Sequence, residues 1–204
     1  VLPSKLMNSL SPERAKLVDF ITKAYPMPVK TASDISLRFY PLHFGKGDFL
    51  LKEGSVSNEY VFLTEGYMRS FATDPDGNDI TTSFHGPHQV VFEIASFFQR
   101  IPSRENIQAL TPCAGVAITY ATLNELFHAL PEFREFGRSI LVNGFSNLKS
   151  RMLSTITETA ESRYLQLLQS SPDIFQHAPL RTIASYLGIT DTSLSRIRKE
   201  ISGK

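Results

Sequence analysis

The chain has 204 residues, 42% hydrophobic and 20% charged, with a formal net charge of +1. That length suffices for one large domain or two modest ones with real cores, and the balanced charge gives no whole-molecule signal for nucleic acid. The single cysteine, Cys113, excludes an internal disulfide framework and any iron–sulfur cluster that needs four thiolates from one chain.

The first strong signal is "SPERAKLVDFITKAY", which reads as a helix. Ser11 can cap it, Pro12 suits its first turn, and Leu17, Phe20, Ile21 and Ala24 share one face. From about Ile35 to Tyr120 the period changes to that of strands. The runs "LRFYPLHF", "DFLLKEG", "YVFLTEG", "YMRSFA" and "ITTSFHG" are separated by turn signals such as Gly45-Lys46-Gly47, Asp76-Gly77 and Gly86-Pro87. Many short strands at this spacing predict a β-roll or sandwich, with "TDPDGND" as a hairpin connection.

Beyond Tyr120 the pattern is helical. "TLNELFHAL" predicts a short helix, and Pro131 marks a break before the next. From Glu132 to about Glu158 no proline interrupts, and Phe133, Phe136, Ile140, Phe145, Leu148, Met152 and Ile156 recur at spacings of three to five. A helix of about 132–157 exceeds the usual globular length. Its stripe either lies across the strands as core or, the favoured reading, packs on its twin in a homodimer through Phe145, Leu148, Met152 and Ile156, with Gly144 allowing close approach. The threonines of "TITETAESR" suit capping and hinging, which places a domain boundary near Thr157. A further helix, "SRYLQLLQSSP", ends at Pro172.

The last stretch, "IASYLGITDTSLSRIRKE", has the constraints of a helix-turn-helix. Two helices crossing steeply through a short turn need a small residue at their closest approach, a turn glycine, and apolar residues that pin the second helix to the first. Ala184 and Gly188 fill the first two roles, and Ile183, Leu187, Ile189, Leu194 and Ile197 the third. Thr190 stands at the N-cap, with Asp191 on the positive end of the helix dipole. Asp191, Thr192, Ser195, Arg196 and Lys199 then fall on one polar arc able to reach base edges, and Arg181, Thr190 and Arg198 are placed to meet phosphates. Arg181, Arg196, Arg198, Lys199 and Lys204 against Asp191 and Glu200 leave this end with a local excess of +3. Double-stranded DNA is the expected partner.

A β-roll, a long helix and a C-terminal helix-turn-helix, in that order, resemble the bacterial Crp/Fnr regulators (the cyclic AMP receptor protein and fumarate–nitrate regulator family). The resemblance covers nearly the whole chain. "FGKGDFLLKEGSVSNEYVFLTEGYMRSF", followed by "DGND", is similar to the family's strand-Gly-strand pattern, and "IASYLGITDTSLSRIRKE" is the most specific match. It implies an α+β fold with a cyclic-nucleotide-binding-like jelly roll and long helix over 1–157 and a DNA-binding helix-turn-helix domain over 158–204. It also implies a homodimer that binds a two-fold DNA site and controls promoter recruitment of RNA polymerase, with the cytoplasm as the default location. The family's guanine-reading arginine falls at Arg196, while two other base-contacting positions become Asp191 and Thr192, so the operator should differ. Because the sequence stops at Lys204, the β-hairpin wing of many members is expected to be missing.

The effector cassette departs from the family's pattern. Phe92, Glu93 and Ile94 stand at its Gly-Glu-Leu turn, and Ser103 and Arg104 at its Arg-Ser or Arg-Thr pair, so the arginine that would neutralise a cyclic phosphate is shifted by one position. On a strand that shift would turn it to the other face. Leu148 and Lys149 fall near the family's adenine-contacting positions. Cyclic AMP is therefore not expected as effector. No cofactor is implied, and any small-molecule effector is left unnamed.

Other chemistry is weaker. His85, His88 and Glu93 in "HGPHQVVFE" are loosely similar to a cupin metal motif, but the histidines are three apart across Gly86-Pro87, and the later ones, His128 and His177, lie in helical regions. Turn histidines in water are preferred to a metal site. There is no C-x-x-C-H haem attachment motif, no signal-peptide pattern in the given sequence, and no apolar run near the ~18 residues of a membrane span. The chain reads as a regulator rather than an enzyme, with a ligand- or partner-binding β-roll whose C-terminal helices serve assembly as the alternative.

Overall fold

The computed structural model describes residues 10–202. Helix α1 (Pro12–Ala24) begins as its sequence dictates. Ser11 Oγ accepts the Arg14 N–H, and Leu17, Val18 and Ile21 are buried. Helix α2 (Val29–Ser36) follows, within a stretch that the apolar period assigns in part to strands. Its inner face uses Ser33 and Ser36, which bury their hydroxyls by bonding back to the carbonyls of Val29 and Ser33.

Eight strands then form the roll: β1 (Tyr40–Phe44), β2 (Phe49–Leu51), β3 (Glu59–Glu65), β4 (Met68–Thr73), β5 (Asp79–His85), β6 (Gln89–Val91), β7 (Asn106–Ala109) and β8 (Cys113–Thr119). They make two four-stranded antiparallel sheets, ordered β1-β8-β3-β6 and β2-β7-β4-β5. A short helix, α3 (Ile94–Gln99), interrupts the strand region. Strand β3 is buried on both faces. Val61 and Leu63 point into the roll with Met68, Val91, Ile107 and Ala117, while Tyr60 and Phe62 face a helical layer. The β4–β5 hairpin turns on Asp74, whose carboxylate accepts the N–H groups of Asp76 (3.0 Å) and Asn78 (2.8 Å).

Helix α4 (Tyr120–Ala129) and the long helix α5 (Pro131–Thr157) complete that layer. Leu123, Leu126, Phe133 and Phe136 close the core against α1 and β3. Gly137 lets α5 approach α4, since a Cβ there would lie 2.7 Å from the Phe127 ring. Gly144, expected to face the twin helix, is open within the chain. Nothing lies within 4 Å of a Cβ built there. Four helices follow: α6 (Ala160–Ser170), α7 (Ile174–His177), α8 (Leu180–Leu187) and α9 (Asp191–Ser202). Thr159 caps α6 by accepting the Ser162 N–H at 3.1 Å. Their core of Tyr164, Leu167, Ile174, Ile183, Ala184, Leu187, Leu194 and Ile197 is shared with Tyr67, Phe84 and Leu110 of the roll.

Candidate nucleic-acid interface

Helix α8 stops at Gly188, whose φ of +68° is a left-handed conformation that only glycine adopts without strain. Ile189 N–H bonds back to the Ala184 carbonyl at 3.0 Å, and α9 starts at Asp191. Thr190 accepts the Ser193 N–H at 3.2 Å, as an N-cap does. Ile183 and Ala184 on α8 and Leu194 on α9 are fully buried, and Leu187 and Ile197 nearly so. These residues lock one polar face of α9 outward: Asp191, Thr192, Ser195, Arg196 and Lys199 are all exposed, as are Thr190, Arg181 and Arg198. Arg196 Nε lies 3.9 Å from Glu200 Oε1 in an exposed pair, and such a contact is worth about 0–1 kcal/mol and leaves the arginine free to reach outward. Arg163, which the sequence pattern does not mark, braces the unit by donating to the carbonyls of Glu158 (2.7 Å) and Leu187 (3.0 Å).

The long helix divides its apolar stripe. Phe133 and Phe136 belong to the core, whereas Phe145, Leu148, Met152 and Ile156 are 69%, 63%, 54% and 72% exposed. Leu141, Val142 and Leu153 extend the bare strip, and Leu141, Val142 and Phe145 line a groove of about 460 Å³ with Phe127 and Gly137.

The effector-pocket candidates do not converge. Phe92 packs outward into an aromatic cluster, 5.0 Å from the Tyr60 ring and 5.4 Å from that of Phe97. Glu93 caps α3, accepting the N–H groups of Ala95 (3.1 Å) and Ser96 (2.6 Å), while Ile94 is exposed. Ser103 and Arg104 lie in a loop rather than on the strand that the alternation argument assumed. Ser103 turns inward and donates to the Glu105 carbonyl at 2.7 Å, and Arg104 faces solvent. Leu148 stands on the exposed strip of α5. Glu105, absent from the expected set, is part-buried. Burial raises its pKa above the usual carboxylate range, with the Glu93 carboxylate adding to the shift and Arg151 opposing it.

His85 corrects another expectation. It is not a turn residue in water but the last residue of β5, with Nε2 2.8 Å from Ser70 Oγ, and burial pushes its pKa down to about 4. His88 does lie in a turn, exposed, at φ +64°. Among the described residues no group of three or more His, Cys, Asp or Glu side chains is arranged to hold a metal ion, and no helix is long and apolar enough to cross a membrane.

Residues 41–129, which span most of the roll and α4, match the cyclic nucleotide-binding domain family. The chain is 24% identical over 163 residues to the transcriptional activator protein Anr of Pseudomonas aeruginosa, covering 74% of this chain and 66% of that protein. It is 26% identical over 175 residues to the transcriptional activator protein FnrA of Stutzerimonas stutzeri, covering 80% and 70% respectively. The chain is thus similar to transcription regulators of the Crp/Fnr type. It spans just under two thirds of the length of the P. aeruginosa relative (66%). The fold is similar to that of FixK2 from Bradyrhizobium japonicum, with a TM-score of 0.71 at 16% identity over 81% of this chain and 85% of that one. It is also similar to CLP, a c-di-GMP-responsive global regulator of Xanthomonas campestris, with a TM-score of 0.68 at 15% identity over 86% and 92%. In the matched stretch, the segment at the cassette position carries Glu93, whose carboxylate caps α3, and the part-buried Glu105. Its arginines are turned elsewhere: Arg104 faces solvent, and Arg100 stacks on Tyr120 at 4.4 Å while donating to the Ser57 carbonyl.

Proposed function

We propose that the chain is a homodimeric, sequence-specific DNA-binding transcription regulator that does not respond to cyclic AMP. The observation that carries this reading is the exposed polar face of α9, Asp191 to Lys199, held outward by a turn whose buried residues have no surface role. Residues 1–157 carry the roll and the dimer helix, and 158–204 the reading head. Two heads, joined through the bare strip of α5, enter successive major grooves about one helical turn apart. Arg196, more than one turn into α9, donates its fork to O6 and N7 of a guanine. Asp191, Thr192 and Ser195 read neighbouring base edges, and Arg181, Thr190, Arg198 and Lys199 hold phosphates. Bound at a promoter in the cytoplasm, the dimer acts on RNA polymerase. The cassette supports the negative half of the proposal: Glu93 is committed to capping α3, and Arg104, the arginine nearest the family's position in sequence, faces solvent.

The experiment is a salt titration of binding to duplex DNA by fluorescence anisotropy. Neutralising several phosphates releases counterions, so the logarithm of affinity should fall linearly and steeply with that of salt. Affinity that is absent or independent of salt would leave only the roll as a binding module.

A further inference from the structure

Strand β5 is the outer strand of its sheet, and an outer strand carries unpaired backbone groups that must be covered or hydrated. Here the first helix of the reading head covers it. Ser185 of α8 accepts the Thr81 N–H at 2.8 Å and donates its hydroxyl to the Asp79 carbonyl at 3.1 Å, so one side chain satisfies two groups on the free edge. The pairing of β4 with β5 slips between Ser70 and Phe71, which face Ser83 and Thr81 and leave Thr82 without a partner. The Thr82 carbonyl is taken by Arg151 of the long helix. The same guanidinium donates to the Tyr186 carbonyl at 3.2 Å and lies 4.0 Å from the centre of the Tyr186 ring, which packs on Phe84 at 4.9 Å. At a second point Tyr67 of the roll stacks on His177 at 4.4 Å and donates to Asp173 at 3.2 Å.

We propose that Ser185 and Arg151 are positioning residues for DNA recognition: they clamp the reading head to its own roll and dimer helix, and thereby set the separation and angle of the two heads. Three bodies meet at the clamp, since Arg151 belongs to the helix that carries the bare strip, Thr82 to the roll and Tyr186 to the head. The docked head keeps its α9 face exposed, so docking does not block DNA but fixes where that face stands. A head held at only one end, through the segment after Thr157, could pivot and accept half-sites at several spacings. A clamped head accepts one. This inference rests on the DNA-binding reading above and adds a source of spacing specificity within each chain.

The test uses the full chain carrying Ser185→Ala together with Arg151→Gln. Neither residue lies on the α9 face. Binding is measured to a two-fold site selected by the wild type and to versions with one or two base pairs inserted at its centre. Each insertion shifts a half-site by about 3.4 Å and rotates it by roughly 35°. The wild type should lose about tenfold or more per insertion, as a mismatched base pair would cause, and the variant less than about threefold, with the same half-site bases preferred. A variant that keeps the full spacing penalty, or binds the selected site more tightly than the wild type, overturns the clamp alone. Wild type that binds no DNA overturns the DNA-binding reading and the clamp's role with it. Hydrogen exchange without DNA guards against a merely unfolded variant. In Ser185→Ala the Thr81 amide should exchange at least about tenfold faster while the amides of α8 and α9 keep their protection. Unchanged protection at Thr81 also refutes the clamp.

Discussion

Replacing Leu148 and Met152 together by Lys tests the dimer helix most severely. Both side chains are more than half exposed in the single chain, at 63% and 54%. Fully burying a Leu or Met stabilises by about 1.5–3 kcal/mol, so covering the exposed part of each is worth roughly 1–2 kcal/mol. Two-fold symmetry counts each twice. The lost apolar burial is therefore about 4–8 kcal/mol, and four ammonium groups facing one another across the seam add repulsion and desolvation to it. Even the lower figure is close to a thousandfold in dissociation constant. Sedimentation equilibrium at micromolar concentration should show a wild-type dimer and a variant monomer with unchanged helix content, because none of the substituted side chains contributes to the core. The variant should also lose operator affinity, since a single head makes half the contacts. A wild-type monomer under these conditions would refute the pairing through this strip.

Arg196→Ala should cost roughly 1–3 kcal/mol per half-site and relax preference at one base pair in each half, whereas Lys199→Ala should weaken all sequences alike and flatten the salt slope; an unchanged sequence preference in Arg196→Ala would assign base reading to Asp191, Thr192 and Ser195. Isothermal calorimetry with cyclic AMP should detect no micromolar binding, and a measurable micromolar affinity would show that an arginine reaches the cassette after all. The pKa of His85 is about 4 in the folded chain against 6.5 for a free histidine, so the unfolded state takes up its proton first as pH falls. Stability is unaffected above about pH 6.5 and declines between there and pH 4, by about 3 kcal/mol in all. Urea titrations at pH 7 and pH 4.5 should show a loss some 2–3 kcal/mol larger for wild type than for His85→Gln. Equal losses would mean that the folded ring protonates freely.

The helix-turn-helix was legible because its geometry constrains residues a few positions apart: Ala184, Gly188, Thr190, Leu194 and Ile197 each have one steric or capping role, and all meet it. The Ser11 cap and the Asp74–Asn78 hairpin were legible for the same local reason. Helix α2 was not, since its buried face uses Ser33 and Ser36, which carry no apolar period. The stripe on α5 is continuous in sequence, so nothing local separates Phe133, which meets the core, from Ile156, which meets solvent. The direction of the cassette side chains was not legible, because spacing orients Ser103 and Arg104 only if the segment is a strand, and it is a loop. Contacts between distant segments were invisible altogether. Arg151 finds Thr82 through a slip in strand pairing, and Ser185 finds Asp79 and Thr81 across more than a hundred residues.

A chain that reads DNA as a two-fold dimer must select a symmetric site. Selection of bound duplexes from a random pool with the wild-type protein tests it in one step. The expected result is a two-fold-symmetric motif whose half-sites lie about one helical turn apart, with a guanine preference in each half that disappears with Arg196→Ala. A pool that stays random after repeated rounds at low salt, or an enriched motif without two-fold symmetry, would contradict it.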